Sequence, residues 1–261
     1  MQGVVYELPD GRIVKRYFPH IPQKLILSEY LCTRHAYEHG VPTWRPDELL
    51  DDGRSIVGSK LEGVSLSSFV TGRPWDAMAV MAQLGETHAA IHQTPTFKGA
   101  RLWRVRQRAP IAAKALPDFT PSDVDRVNEI LGQDAAERGF CHGDLSPANV
   151  VVREKRLAVI DWGRAGVGCF VQDVARTFCF ILYVRPKFGW VPSRMLLPFR
   201  MRLAQSYLSA YIAATGRSET AVLLWVACEL ARESRRLRRE AIRALLRAAY
   251  RDVLGVVRAR L

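Results

Sequence analysis

Two short apolar runs separated by a turn sequence open the chain. Residues 4–8 and 12–17 are rich in β-branched and aromatic side chains, which favour strands. Pro9, Asp10 and Gly11 lie between them and form a turn sequence, because proline sets φ and glycine accepts a positive φ. The pattern therefore predicts a β-hairpin at the start of the chain.

Helical periodicity dominates the rest of the pattern. The segments predicted to be helical are residues 24–39, 76–92, 123–136, 172–183, 193–215 and 219–261, the last as one helix or two. Short extended runs occur at residues 55–61, 140–142, 150–152 and 157–160. Because strands are concentrated at the front, we expect an α+β fold with a small β-rich N-lobe, residues 1–62, and a larger helical C-lobe, residues 63–261.

The composition indicates a globular protein with an excess of positive charge. Of the 261 residues, 48% are hydrophobic, which excludes the disordered and fibrous classes. Lys and Arg number 38 and Asp and Glu number 26, so the formal net charge is +12. Such a charge favours nucleic acid, an anionic membrane surface or an anionic substrate as partner, but it is also compatible with a merely soluble, arginine-rich protein.

The cysteine pattern and the N-terminus predict a cytoplasmic protein. Five cysteines are scattered without a C-x-x-C pair, which is typical of a reducing compartment. The first residues lack the basic and apolar regions of a signal peptide, and no apolar run in the sequence is long enough to span a bilayer.

The most informative segment has the kinase spacing H-x-D-x-x-x-x-N, followed by an extended run and D-x-G. His142, Asp144 and Asn149 supply the first motif and Asp161 the second. Phosphoryl transfer depends mainly on positioning and charge neutralisation, so Asp144 would orient an acceptor hydroxyl and take its proton. Asn149 and Asp161 offer the oxygen ligands that Mg²⁺ prefers. His142 is expected to brace the loop of this catalytic site.

Residues 140–163 resemble the catalytic core of the aminoglycoside phosphotransferase and choline kinase-like family, which is related to protein kinases. His-Gly-Asp in the first motif and Asp-Trp in the second are usual forms in that family. Weaker similarities extend over residues 4–182 and include Asp173, which would brace the catalytic loop. The resemblance implies a bilobal protein-kinase-like fold with its site between the lobes, kinase activity, and Mg²⁺ and ATP or GTP as cofactors.

The same resemblance implies roles for residues in the front of the chain. Lys15 would contact the nucleotide phosphates, and Glu29 would hold Lys15 through an ion pair, with Glu38 on the same helix as the alternative. Backbone groups of Ser59 and Leu61 would bind the nucleotide base.

One part of the family pattern is not found in the sequence. The family has a strand and a Gly-containing phosphate loop ahead of its lysine strand, whereas only residues 1–3 precede the first predicted strand here. We expect the first strand and most of that loop to be missing or shortened. Because the backbone amides of such a loop bind phosphate, nucleotide binding is then expected to be weaker, unless Arg12 and other side chains substitute for them.

The C-terminal region bears on the identity of the acceptor. Residues 231–261 contain ten arginines and three acidic residues, a net charge of +7. A polycationic aminoglycoside would favour a carboxylate-lined pocket, so we expect a neutral or anionic small-molecule hydroxyl acceptor, such as a sugar or a lipid-linked sugar. The small N-lobe is also similar to Kdo and lipopolysaccharide-core sugar kinases. The arginines also fit the solvent face of an amphipathic helix, or a peripheral contact with an anionic membrane.

Three alternatives remain open at this point. They are an atypical regulatory protein kinase or RNA-modification-complex kinase, an aminoglycoside-type antibiotic kinase, and a non-catalytic basic nucleic-acid-binding protein. No Ala-Pro-Glu segment follows Asp161, which counts against a conventional protein kinase. The sequence shows no interleaving of aromatic and basic residues that would form a stacking platform, so no DNA partner is expected.

Overall fold

An antiparallel sheet and one helix form the front of the molecule. The computed structural model describes residues 3–98, 125, 129, 131–133, 137–183, 197–236 and 240–259, and their side chains except those of residues 231–236, 240–247 and 258. The sheet has the order β1-β2-β4-β3, with strands β1 (Gly3–Glu7), β2 (Arg12–Tyr17), β3 (Pro46–Leu49) and β4 (Ser55–Ser59). Helix α1 (Gln23–Glu38) connects β2 to β3. The predicted hairpin is confirmed, because β1 pairs with β2 through a turn in which the Gly11 amide donates to the Leu8 carbonyl.

Two small sheets and a set of helices make up the remainder of the described chain. One sheet has the order β5-β7-β8, formed by β5 (Val64–Ser65), β7 (Val150–Arg153) and β8 (Arg156–Val159). The other pairs β6 (Arg138–Cys141) with β9 (Gly166–Cys169). The helices are α2 (Leu66–Gly72), α3 (Ala77–Gln93), α4 (Phe170–Tyr183), α5 (Leu197–Thr215), α6 (Glu219–Arg236) and α7 (Glu240–Arg258). This architecture confirms the predicted α+β class, with a small sheet lobe ahead of a helical lobe.

Most predicted elements agree with the structure to within a few residues, and four strands or helices were not predicted. The unpredicted elements are β3, β5, α2 and β9, which are short and carry no clear periodic pattern. The helix predicted over residues 123–136 is helical at residues 125, 129 and 131–133, and its other residues lie outside the described ones. The predicted polar segment 93–121 lies outside the described residues from position 99 onward.

Two apolar cores hold these elements together. The smaller core contains Tyr17, Ile26, Trp44 and Ile56 and lies between the sheet and the first half of α1. The larger core joins α3 to α7 with the strands around the catalytic loop, and the second half of α1 also packs into it. The structure thus contains two apolar centres of unequal size, and the division after residue 62 remains a prediction.

Helices α3 and α5 approach each other closely at Gly85. A Cβ atom at this position would collide with the backbone carbonyl of Tyr207 on α5. Only glycine therefore permits this helix spacing, which brings the side chains of the two helices together beneath the catalytic loop.

The described part of the chain has one strand and a tight turn before the lysine strand β2. The connection between these two strands, residues 8–11, contains one glycine, Gly11. None of the helices within the described residues combines the length and the apolar character needed to cross a membrane.

Candidate active site

A cavity of about 470 Å³ lies between the four-stranded sheet and the β7–β8 hairpin. Six of the eight site residues predicted from the sequence line it: Lys15, Glu29, Ser59, Leu61, Asn149 and Asp161. The other two, His142 and Asp144, lie on the adjoining loop rather than in the cavity wall. Residues that lie as far apart in the sequence as Lys15 and Asp161 therefore line the same cavity.

Lys15 stands in the middle of β2 and bridges two carboxylates. Its Nζ lies 2.5 Å from Glu29 Oε1 and 3.4 Å from Asp161 Oδ1. Burial by itself would lower the pKa of Lys15, but the two carboxylates outweigh it and raise that pKa. Glu38 is exposed and pairs with Arg34, so Glu29 is the acid that contacts Lys15.

The segment after β4 forms another side of the cavity. Ser59 is tied to β3, since its amide donates to the Arg45 carbonyl and its hydroxyl accepts from the Arg45 amide. The amide of Leu61 makes no backbone hydrogen bond with another described residue. This segment therefore offers a free backbone donor at the cavity wall.

The catalytic loop runs from β6 to a short 3₁₀ turn at Pro147–Asn149. His142 is completely buried, and its Nδ1 accepts from the Asp144 amide while its Nε2 lies 3.1 Å from the Ile160 carbonyl. Burial lowers the pKa of His142, which favours the neutral ring that these two bonds require. Gly143 has φ of +79°, a conformation that explains why glycine stands between the histidine and the aspartate.

Asn149 and Asp161 are brought together by backbone pairing. The Ile160 amide donates to the Asn149 carbonyl at 2.9 Å, which places Asp161 next to Asn149. Asn149 Nδ2 donates to the Asp144 carbonyl, so its Oδ1 is left for another partner. Asp161 has φ of +64°. Its side chain is 42% exposed, contacts Lys15 and lines the same cavity. Two hard oxygen donors on one wall fit a divalent cation such as Mg²⁺.

Asp173 holds the catalytic loop from below. Its carboxylate is buried and accepts the backbone amides of His142 at 2.9 Å and Gly143 at 3.0 Å. It also accepts from Nε2 of His88 at 3.2 Å and of His92 at 3.5 Å. Burial alone would raise the pKa of Asp173, but these hydrogen bonds from the two histidines hold it below its usual range.

Two tyrosines complete this support, and sequence reasoning did not find them. The Tyr207 hydroxyl lies 2.6 Å from His88 Nδ1, and the Tyr211 hydroxyl lies 2.8 Å from His92 Nδ1. The only sequence signal was the matching i, i+4 spacing of the histidines on α3 and of the tyrosines on α5. Nothing in that spacing says which two helices pack together.

Two arginines next to Asp144 were also missed. Arg176 Nη2 lies 3.4 Å from Asp144 Oδ1, and Arg164 Nε lies 3.8 Å from Asp144 Oδ2. Arg12, which was expected to compensate for a short phosphate loop, is an exposed residue paired with Asp10 and Asp47. It does not line the cavity, so the structure does not support that substitution.

The comparisons with known proteins agree with this geometry. The family model described as the phosphotransferase enzyme family matches residues 5–225. The chain belongs to this family. It is therefore a kinase-type phosphotransferase, as the catalytic motifs predict.

Individual relatives are more distant. The curated subunit BUD32 of the EKC/KEOPS complex from Yarrowia lipolytica is 26% identical over 124 residues, which cover 45% of this chain and 46% of BUD32. The match thus spans about half the length of that relative.

Solved structures resemble the whole chain in fold. A choline/ethanolamine kinase family protein from Mesorhizobium loti has a TM-score of 0.57 and 15% identity, covering 98% of this chain and 85% of that protein. The aminoglycoside phosphotransferase APH(3'')-Id from Streptomyces rimosus, in complex with ADP and streptomycin, has a TM-score of 0.56 and 18% identity, covering 86% and 88%. These similarities establish the protein-kinase-like fold.

Proposed function

We propose that this protein transfers the γ-phosphate of Mg²⁺-bound ATP, or GTP, to a hydroxyl group of a small molecule. The observation that carries the proposal is the placement of Lys15, Asn149 and Asp161 around one cavity, with Asp144 on the adjoining loop. These are the positive, metal-binding and hydroxyl-binding groups that phosphoryl transfer requires.

Each residue has a defined task in this proposal. The base is bound by the Ser59 carbonyl and the Leu61 amide, and Lys15 contacts the phosphates while Glu29 holds it in place. Asn149 and Asp161 would hold Mg²⁺, which would supply positive charge to neutralise the phosphate oxygens.

Asp144 orients the acceptor hydroxyl and accepts its proton as the hydroxyl oxygen bonds to the γ-phosphorus. The bond from that phosphorus to the β–γ bridging oxygen breaks, and the nucleoside diphosphate leaves. His142 acts indirectly, because its ring binds the backbone on both sides of the site.

The ligands of structural relatives support this assignment of cofactors. The amicoumacin kinase hAmiN, with a TM-score of 0.54, is a complex with AMP-PNP, Ca²⁺ and amicoumacin. The Streptomyces rimosus enzyme holds ADP and streptomycin. A nucleotide, a divalent cation and a small hydroxyl compound are therefore expected together in this cavity.

We favour a neutral or anionic acceptor, such as a sugar or sugar-lipid, over an aminoglycoside. The net charge of +7 in residues 231–261 supports this choice, since it would repel a polycation. Of those arginines, Arg251 has a described side chain, which is exposed, and the other nine lie outside the described side chains. Peripheral contact with an anionic membrane and a cytoplasmic location remain predictions.

The second candidate function is an atypical protein kinase or RNA-modification-complex kinase. The similarity to BUD32 over residues that amount to 45% of this chain favours it. A non-catalytic nucleic-acid-binding role is not retained, because the chain belongs to an enzyme family.

A metabolite-library screen for Mg²⁺-dependent ATP or GTP consumption tests the proposal. The wild type should consume nucleotide with at least one small hydroxyl compound, and Asp144→Asn should abolish that turnover. Asp51→Asn, an exposed aspartate outside the cavity, is the matched control and should match the wild type. Turnover that persists in folded Asp144→Asn would contradict the proposal, and phosphorylation of proteins but of no metabolite would favour the second candidate.

A further inference from the structure

Arg176 joins the catalytic aspartate to helix α4. It lies one turn after Asp173, so the same helix supports the catalytic loop from below and reaches Asp144 at its rim. Its Nη2 is 3.4 Å from Asp144 Oδ1, and its guanidinium lies over the Phe180 ring at 5.3 Å. The Arg176 side chain is 31% exposed and that of Asp144 is 29% exposed, so both reach the solvent at the mouth of the site.

Asp144 is therefore flanked by two cations. Arg164 approaches the other carboxylate oxygen, with Nε 3.8 Å from Oδ2. Within the described residues, no second carboxylate lies within 4 Å of the Arg176 guanidinium. The Arg176 guanidinium therefore has Asp144 as its carboxylate partner among the described residues, and it lies where an acceptor hydroxyl has to bind.

We propose that Arg176 recognises an anionic group on the acceptor, so that the preferred substrate is a hydroxyl compound carrying its own carboxylate or phosphate. The inference rests on the proposed function, because it places the acceptor hydroxyl at Asp144. A guanidinium has five N–H donors in a planar fork, so the contact with Asp144 leaves donors for a second anion. Arg176 is a specificity-determining residue in this account.

The same geometry limits the size of the acceptor's reacting end. The acceptor hydroxyl would bind to Asp144 and its acid group to Arg176, and these two residues form one ion pair. The hydroxyl and the acid group are then separated by about 4–7 Å, which corresponds to a few bonds. An ammonium group in that position would face the Arg176 guanidinium, so a cationic acceptor is disfavoured by like-charge repulsion.

Three polyols with the same six-carbon skeleton provide a direct test. Sorbitol is neutral, gluconate is anionic and glucamine is cationic. Binding is measured by titration calorimetry at constant ionic strength, with Mg²⁺ and a non-hydrolysable ATP analogue present. The wild type should bind gluconate about tenfold more tightly than sorbitol and glucamine most weakly.

Variants separate recognition from folding. Arg176→Gln should remove the preference for gluconate over sorbitol, and Arg176→Lys should retain part of it because the charge stays. Arg73→Gln is the matched control, since Arg73 also lies over a phenylalanine ring, Phe69, at 5.7 Å and is remote in sequence from the catalytic loop. This control should keep the full preference.

Several outcomes would overturn the inference. They are gluconate binding no tighter than sorbitol, tightest binding of glucamine, or an equal loss of affinity for all three polyols in folded Arg176→Gln. Mg²⁺-dependent ATP hydrolysis by the same preparations keeps the two hypotheses apart. Hydrolysis without a gluconate preference defeats the anionic acceptor alone, whereas absence of nucleotide binding and hydrolysis defeats the proposed function.

Discussion

At the cavity wall, Lys15 carries its charge in a largely buried position. Its side chain is 17% exposed and that of Glu29 is 2% exposed, so the pair is shielded from water. Removing one partner of a shielded pair leaves the other charge without compensation, which costs more than the pair itself contributes. In the proposed mechanism, the position of Lys15 relative to the phosphates therefore depends on Glu29.

Glu29→Gln should lower kcat/KM for the nucleotide by about a hundredfold, because the Lys15 ammonium loses its anchor. The free energy of unfolding should fall by about 1–3 kcal/mol, since a charge-assisted hydrogen bond is lost in a buried place. Steady-state kinetics and urea unfolding measure the two effects.

Glu38→Gln on the same helix is the control for that variant. Glu38 is exposed and paired with Arg34, so its substitution should leave nucleotide kinetics unchanged. If Glu29→Gln and Glu38→Gln lowered kcat/KM equally, the charge of the helix, rather than the contact with Lys15, would be responsible for the loss.

At the scale of elements, three helices support one loop. Helix α4 supplies Asp173, α3 supplies His88 and His92, and α5 supplies the tyrosine hydroxyls that orient the two rings. These hydrogen bonds require a short distance between α3 and α5, which Gly85 makes possible. Helix spacing and catalytic-loop position are thus coupled.

Gly85→Ala should destabilise the protein by about 1–3 kcal/mol, because the added methyl group overpacks the α3–α5 contact. It should also reduce kcat, since displacement of α5 disturbs the tyrosine–histidine contacts. Thermal or urea unfolding combined with kinetics measures both effects.

Gly132→Ala serves as the matched substitution. Gly132 is helical, and a Cβ there would meet no atom of the described residues within 4 Å. Its stability should be unchanged or higher by about 0.5–1 kcal/mol. If Gly85→Ala were as stable as Gly132→Ala, the close-contact explanation would be refuted.

For the molecule as a whole, buried titratable groups make stability depend on pH. Burial, with the nearby His88 ring adding to it, lowers the pKa of His92 to about 3. Burial also lowers the pKa of His142. The unfolded chain binds protons to these rings below about pH 6.5, whereas the folded protein does not. Folding stability therefore rises with pH in this range and is lost as the pH falls.

The free energy of unfolding should decrease from about pH 6.5 to pH 4 by up to about 1.4 kcal/mol per pH unit for the His92 ring, whose pKa in the folded protein is about 3. His92→Gln should show a shallower slope, because one of these protons is no longer taken up on unfolding. Urea unfolding at a series of pH values measures the slope. His20→Gln, at an exposed ring, should keep the wild-type slope, and a wild-type slope in His92→Gln would contradict the assignment.

Whether a feature could be predicted depends on how far apart in the sequence its interacting residues lie. The hairpin, the long helices and the catalytic motif were predicted, because turn chemistry and periodicity act within a few residues. The short strands β3 and β9 were not, since their pairing partners rather than their own residues define them. The choice of Glu29 over Glu38 needed the structure, because both acids lie on α1.

The sequence alone determined the class of enzyme, because His142, Asp144, Asn149 and Asp161 lie within one short segment with the motif spacing of kinases. Only the tertiary structure decided what surrounds that chemistry: the anchoring of Lys15, the tyrosine–histidine support of Asp173 and the two arginines at Asp144. These contacts join residues far apart in the chain, and the packing of α3, α4 and α5 selects them among many side chains of similar type. The charge of +12 pointed to an anionic partner in general, and the position of Arg176 directs that preference to the acceptor.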